Sequence, residues 1–164
     1  MKMRIALACV LLVLLIPFTL KAQTTSDRDA LRGIGGMKVV VEGLNSDAIA
    51  SGLDEEQIRA DVELRLRKAG INVFDDSVGT APFLYVNIGV VASENLRAFT
   101  VALSFNRIGT FPHGKDTMRL TAQVWSEASL HLRSGQNLRA TTRDKLADFT
   151  DKFINDYLAA NPKP

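Results

Sequence analysis

Cysteine is nearly absent from this sequence of 164 residues, in which Cys9 is the single example. Cys9 lies close to the start of an apolar run, whereas the acylated cysteine of a lipoprotein follows a complete run. We therefore expect Cys9 to be removed with the amino-terminal segment described below. The remaining chain would then have no thiol, which excludes disulfides, metal ligation through sulfur and a cysteine nucleophile.

Histidine is also scarce, with His113 and His131 as the two examples. A catalytic histidine needs a nucleophile within reach and a third group to orient it. The segment around His113 contains no recognised nucleophile, and the sequence has no Gly-x-Ser-x-Gly motif. A surface loop is therefore the favoured position for His113, and a hydrolase that uses it as a base is the alternative. Two histidines so far apart are a weak basis for a metal site.

Two short patterns lack the context that their chemistry requires. Gly33, Gly35 and Gly36 precede a predicted strand, whereas a phosphate-binding loop follows a strand and opens a helix. Asp75 and Asp76 lack the further oxygen ligands of a calcium loop, so a polar turn is favoured there. The sequence therefore predicts no catalytic, cofactor-binding or metal-binding residue.

The amino terminus has the three parts of a secretory signal peptide. Residues 1–4 carry the positive charges of Lys2 and Arg4, residues 5–16 are apolar, and Ala22 offers a small residue before a polar stretch. The apolar run is shorter than the roughly 20 residues that span a bilayer, and Pro17 interrupts it. Cleavage after Ala22 is therefore favoured over a retained membrane anchor.

Removal of the signal peptide changes the charge of the chain. The whole sequence has a net charge of +2. Loss of Lys2, Arg4 and Lys21 leaves 17 basic residues against 18 acidic ones, a net charge of −1. A near-neutral chain gives no support for nucleic-acid binding through bulk charge. We expect an exported protein, periplasmic or secreted, that contacts the membrane only through its signal peptide before cleavage.

The pattern of apolar residues predicts an α+β fold in the order β-α-β-β-β-β-α. One mixed, mostly antiparallel sheet would have two helices packed on one face. We expect a flexible leader at 23–36, a single globular domain at 37–160 and a disordered tail at 161–164. The predicted strands are 37–42, 71–74, 83–91, 98–107 and 118–132, and the predicted helices begin at 54 and near 141.

The first helix has the clearest local signals. Asp54 and Gln57 have the spacing of a capping box. Gly70 is expected to end the helix, with Ile71 in the hydrophobic position of a Schellman motif. The strand at 37–42 before it is β-branched and apolar at its centre, Val39–Val41, and is predicted to be buried on both faces. The apolar stripe of the helix consists of Ile58, Val62, Leu66 and Ala69.

The polar face of the predicted sheet is the candidate binding surface. Trp125, the only tryptophan, lies among polar residues in the alternation of the last strand. An aromatic side chain among adaptable hydrogen-bonding groups is typical of binding surfaces. A solvent-exposed polar face, or Trp125 covered by a loop or by the leader, is the alternative. The candidate surface comprises Trp125, Tyr85, Asn87, Gln123 and His131, with Thr100 and Ser104 beside them. The inward face of the last strand would comprise Leu120, Ala122, Val124, Ala128, Leu130 and Leu132.

Several segments resemble small uncharacterised exported proteins of bacteria. These segments are V-V-V-E-G-L from Val39, D-E-E-Q-I-R-A-D-V-E-L-R-L-R-K-A-G-I-N-V from Asp54, P-F-L-Y-V-N-I from Pro82 and D-K-F-I-N-D-Y-L-A-A-N-P from Asp151. The predicted topology is also similar to small α/β domains of envelope proteins such as the TolB amino-terminal domain. The resemblance implies a bacterial envelope setting and brings no known active site.

We expect a non-enzymatic binding or accessory module of the bacterial cell envelope. Its partner would be an envelope protein or a cell-wall component, bound on the outward sheet face or on an exposed sheet edge, as in strand addition. A hydrolase based on His113 and a small-ligand carrier are the alternatives, and the carrier requires a cavity between helices and sheet. The sequence predicts no cofactor and leaves the oligomeric state open.

Overall fold

The computed structural model describes residues 28–75, 77–93, 96–133 and 137–162. The predicted signal peptide and the first residues of the predicted leader lie outside these ranges. The elements in chain order are β1 (Lys38–Val41), α1 (Ser46–Ala50), α2 (Glu55–Lys68), β2 (Phe83–Ala92), β3 (Arg97–His113), β4 (Asp116–Arg133) and α3 (Leu138–Ala160).

The four strands form one mixed sheet in the order β1-β2-β3-β4. β1 is parallel to β2, and the other two pairs are antiparallel. The predicted α+β class and the mixed, mostly antiparallel sheet are confirmed. The inner face packs against α2 and α3, and its apolar side chains form the core. The buried strand residues of this face are Val39, Val41, Leu84, Val86, Ile88, Val90, Phe99, Val101, Leu103, Phe105 and Trp125.

Helix α2 forms as its local signals predict. The Asp54 carboxylate accepts a hydrogen bond from the Gln57 amide at 2.8 Å and caps the first turn. Gly70 has a φ of 76°, and the Ile71 amide donates to the Leu66 carbonyl at 3.0 Å. This six-residue closure is the Schellman end that the sequence predicts.

The predicted strand at 71–74 is reduced to a single parallel bridge between Met37 and Val73. The parallel neighbour of β1 along its length is β2. The extended segment is cut short because the Asp75 carboxylate accepts from the Ser77 amide at 2.9 Å and begins a turn. The predicted order therefore contained one strand too many.

The segment between the predicted strand at 37–42 and the predicted helix at 54 contains the short helix α1. Its cap is Asn45, whose side-chain oxygen accepts from the Ala48 amide at 3.2 Å. A helix of five residues is too short to repeat an apolar stripe, so hydrophobic periodicity does not reveal it. The strand predicted to be buried on both faces, β1, buries only Val39 and Val41, because none of the helices in the described ranges packs on the outer face of the sheet.

Residues 28–36, predicted as part of a flexible leader, pack against the last helix. Leu31 is fully buried and Ile34 nearly so. The Tyr157 hydroxyl donates to the Ile34 carbonyl, and the Asn161 side-chain amide donates to the Leu31 carbonyl at 2.9 Å. The packed domain therefore begins before residue 37, and Asn161 belongs to it rather than to a disordered tail.

The hairpin of β3 and β4 is longer than predicted. Most of the segment between the predicted strands at 98–107 and 118–132 is itself paired: β3 continues to His113 and β4 begins at Asp116, which leaves a two-residue turn at Gly114 and Lys115. Gly114 has a φ of 61°, which suits glycine in a tight turn. β2 pairs with β3 only as far as Asn106, so the hairpin projects beyond the sheet as a two-stranded arm. Helix α3 begins at Leu138, slightly before the predicted start.

We expect the change Asp54→Ala to lower the free energy of unfolding by about 1 kcal/mol, because the Gln57 amide loses its acceptor. Urea denaturation followed by circular dichroism measures this. Asp54→Asn keeps an acceptor oxygen at the same place and is the control. An equal loss of stability in the two variants would show that Asp54 does not act as a cap.

Candidate functional site

A bulge in β4 decides which side chains reach the outer face of the sheet. β3 pairs Phe105 with Trp125 and Asn106 with Gln123, so Val124 is an extra residue in β4. An extra residue shifts the alternation of the strand by one position. Beyond the bulge, the residues predicted to face outward face the helices, and the residues predicted to face inward face solvent.

Trp125 therefore lies in the core and not on an exposed surface. Its side chain is 5% exposed, and its ring meets that of Phe153 edge-on, with centroids 5.1 Å apart. The indole N–H donates to Oδ2 of Asp156 at 3.0 Å, and Oδ1 of the same carboxylate accepts from Arg28 at 2.8 Å. The predicted role of Trp125 at the centre of a binding face is corrected to a structural one.

His131 also lies on the inner side of the sheet. Its ring stacks on the buried ring of Phe99, with centroids 4.9 Å apart and an angle of 19° between the planes. Its Nε2 atom lies 2.9 Å from the Ser129 hydroxyl. By cross-strand pairing, the outer face holds the rest of the predicted surface, which is Tyr85, Asn87, Thr100, Ser104 and Gln123.

The outer face is polar near β1. The Asn87 side-chain amide donates to the Glu42 carboxylate. Desolvation raises the pKa of the Tyr85 phenol, and the hydrogen bond and negative charge of Glu42 raise it further. Tyr85 is therefore protonated at neutral pH and keeps its hydroxyl proton for donation.

The outer face is apolar where β2, β3 and β4 lie side by side. Val91 and Leu130 are each 67% exposed, and Leu132 is 63% exposed. Val91 pairs with Ala98, Ala98 pairs with Leu132, and Thr100 pairs with Leu130. Val91, Ala128, Leu130 and Leu132 are exposed, and Ala98 between them is half-buried. We call this group of five residues the apolar patch. Strict alternation along β4 does not predict this patch, and the one signal for it in the sequence is the adjacent apolar pair of Val124 and Trp125.

The free edge of β4 borders the apolar patch. β4 is the last strand of the sheet and has its hydrogen-bonding partner, β3, on one side. Natural edge strands are usually protected by lysine, proline or bulges. Between Trp125 and Leu132, β4 has no proline, and Glu127 is its one acidic or basic residue apart from His131. Glu127 is held by Lys152 of α3. Among the described residues, no strand other than β3 pairs with β4, so this half of the edge is open to pairing with another strand.

His113 occupies an exposed position at the tip of the arm. It is the last residue of β3, beside the Gly114 turn, and it pairs across the hairpin with Asp116. A hairpin tip gives no enclosed site in which a base could be aligned with a nucleophile and a substrate. The geometry thus gives no support to the hydrolase alternative.

A groove with a volume of about 440 Å³ lies between α2 and α3. Its rim carries ion pairs between the two helices, from Arg143 to Asp61 at 2.7 Å and from Arg65 to Asp151 at 2.9 Å. A carrier would need a cavity between helices and sheet, whereas residues of the two helices alone line this groove.

In the described ranges, no three acidic, histidine or cysteine residues are grouped to hold a metal ion. None of the helices described there is both long and apolar enough to cross a membrane.

No protein-family model and no curated protein matches the chain. Among solved structures, the chain is similar to a minor lipoprotein from Acinetobacter baumannii. The two are 12% identical, the match covers 74% of this chain and 84% of that chain, and the TM-score is 0.26. A TM-score of this size does not establish a common fold or function.

We expect Trp125→Ala to lower the free energy of unfolding by roughly 3–5 kcal/mol, because it empties a core position and leaves Asp156 without one donor. Leu130→Ala, at an exposed position of the same strand, should change it by less than about 0.5 kcal/mol. Urea denaturation of both variants measures the difference. Equal stability of the two variants would contradict the core position of Trp125.

Proposed function

We propose that this protein is an exported, non-enzymatic binding module of the bacterial cell envelope that pairs the edge of β4 with an extended strand of a protein partner. The observation that carries this proposal is the unprotected edge of β4 beside the apolar patch. Export is supported by the signal-peptide pattern of residues 1–22.

The backbone of β4 favours a polypeptide as the partner. The outer side of an edge strand presents N–H and C=O groups that lack strand partners. An added strand pairs with these groups, so main-chain hydrogen bonds supply affinity and alternate side chains supply specificity. A cell-wall glycan lacks this regular alternation of donors and acceptors. Among the partners expected from the sequence, an envelope protein therefore fits this edge better.

The apolar patch supports the same mode of binding. An added strand next to β4 would cover part of the side chains of Leu130 and Leu132, which lie on the outer face. Full burial of a large apolar side chain contributes roughly 1.5–3 kcal/mol. Partial burial helps to offset the cost of about 1–2 kcal/mol for ordering each backbone residue of the partner.

The inner side of the edge supplies polar groups for selectivity. Glu127, Ser129 and His131 follow one another on this side of β4, and all three are half-buried. A partner strand would place every second side chain next to them. Hydrogen-bonding side chains at these positions of the partner would then be favoured, because a partly buried polar group is costly without a hydrogen-bond partner.

The change Leu130→Lys should weaken binding of an envelope protein about tenfold or more, since it puts a charge beside the paired edge. Affinity is measured with the exported protein immobilised and proteins solubilised from the envelope as the binding partners. Leu64→Lys, at a position of α2 that is 52% exposed, is the matched control and should leave binding unchanged.

Amide hydrogen exchange of the complex locates the contact. Bound partner should slow exchange of backbone amides between Trp125 and Leu132. Protection confined to the groove between α2 and α3, or equal loss of binding in the two lysine variants, would refute strand addition at β4.

A further inference from the structure

We infer that the strand paired with β4 is β4 of a second copy of this chain, so that the protein forms a twofold dimer. The inference rests on the proposed use of the β4 edge for strand pairing. The partner is identified from the residues of β4 itself, because they complement each other when two copies of the strand pair in antiparallel orientation.

The straight part of β4 has a defined midpoint. It begins at Trp125, directly after the bulge at Val124, and extends to Arg133 at the end of the strand. In an antiparallel pair related by a twofold axis, each residue faces the residue equally far from the axis on the other copy. An axis at Ser129 uses this whole segment. An axis at Ala128 would draw the bulge into the ladder, and an axis at Leu130 would shorten the ladder.

The outer face is self-complementary about Ser129. Ala128 would face Leu130 of the second copy, and Ser126 would face Leu132 of the second copy. All four side chains are exposed in the single chain. The pairing joins the two apolar patches into one strip across the axis and removes part of both leucine side chains from water.

The inner face is compatible with the same axis. Glu127 would face His131 of the second copy, so a carboxylate acceptor meets an imidazole ring, which carries an N–H donor. Like charges do not face each other at these positions, and direct opposition of like charges would destabilise the pair. Lys152 already holds Glu127, and Ser129 already contacts His131, which limits the freedom that these side chains lose on pairing.

Pairing through β4 would also cover the open edge of the sheet. The dimer would have one continuous sheet that ends in β1 on both sides. β1 is only four residues long and begins with Lys38. Short edge strands and lysine are the usual protection against further strand addition. The assembly would therefore close at two copies.

Two double variants at the same exposed positions test the pairing and its register. Ala128→Lys with Leu130→Lys places like charges opposite each other twice and should weaken dimerisation by about 100-fold or more. Ala128→Lys with Leu130→Glu places opposite charges together and should stay within about tenfold of the unchanged protein. Sedimentation equilibrium of the purified exported protein measures the dissociation constants, and thermal unfolding verifies that each variant is folded.

A cross-link gives a second, independent measurement. A residue on the twofold axis faces its own copy, at a separation that a disulfide can bridge. Ser129→Cys should therefore give a covalent dimer on mild oxidation. Ser126→Cys, which would face Leu132 of the second copy, should not. This comparison decides the register even if a double variant fails to fold.

A monomeric unchanged protein at all accessible concentrations would overturn the inference. Equal dissociation constants of the two double variants, whether both are weakened or both unchanged, would overturn it as well. Equal cross-linking of the Ser129→Cys and Ser126→Cys variants would also overturn the inference. If the protein is monomeric and an envelope protein still slows amide exchange in β4, the proposed function stands and only the second copy as partner is excluded.

Discussion

The extra residue in β4 is the constraint on which the rest of this structure depends. Because Val124 shifts the alternation, the indole of Trp125 turns toward the helices and reaches Phe153 and Asp156. The carboxylate of Asp156 in turn holds Arg28 near the start of the packed domain. The same shift turns large apolar side chains to the other side of the sheet. One residue thus completes the core and creates the exposed patch.

Local signals in the sequence were enough for the elements that local contacts determine. Asp54 and Gly70 bound α2 through hydrogen bonds within a few residues, so the sequence alone locates both ends of that helix. The regular alternation of β3 likewise predicts its buried face. The packing of Leu31 on the last helix depends on contacts with residues far along the chain, such as Asn161, and no local pattern indicates it.

The candidate site was only partly predictable for the same reason. Tyr85 and Asn87 were placed correctly because β2 alternates without interruption. Trp125 and His131 were assigned to the wrong face of the sheet, because strict alternation of inward and outward residues does not account for the extra residue of a bulge. The open edge itself depends on strand order, and alternation within a strand does not tell which strand comes last in the sheet.

The contact between Leu31 and Asn161 brings the beginning and the end of the packed domain side by side. The chain therefore enters and leaves the domain at one place. A tether at either end would act as a single pivot, about which the whole body can turn as a unit. Because these ends are adjacent, a short linker could join them and new ends could be opened at the turn of the arm, which is the geometry that a circular permutation requires.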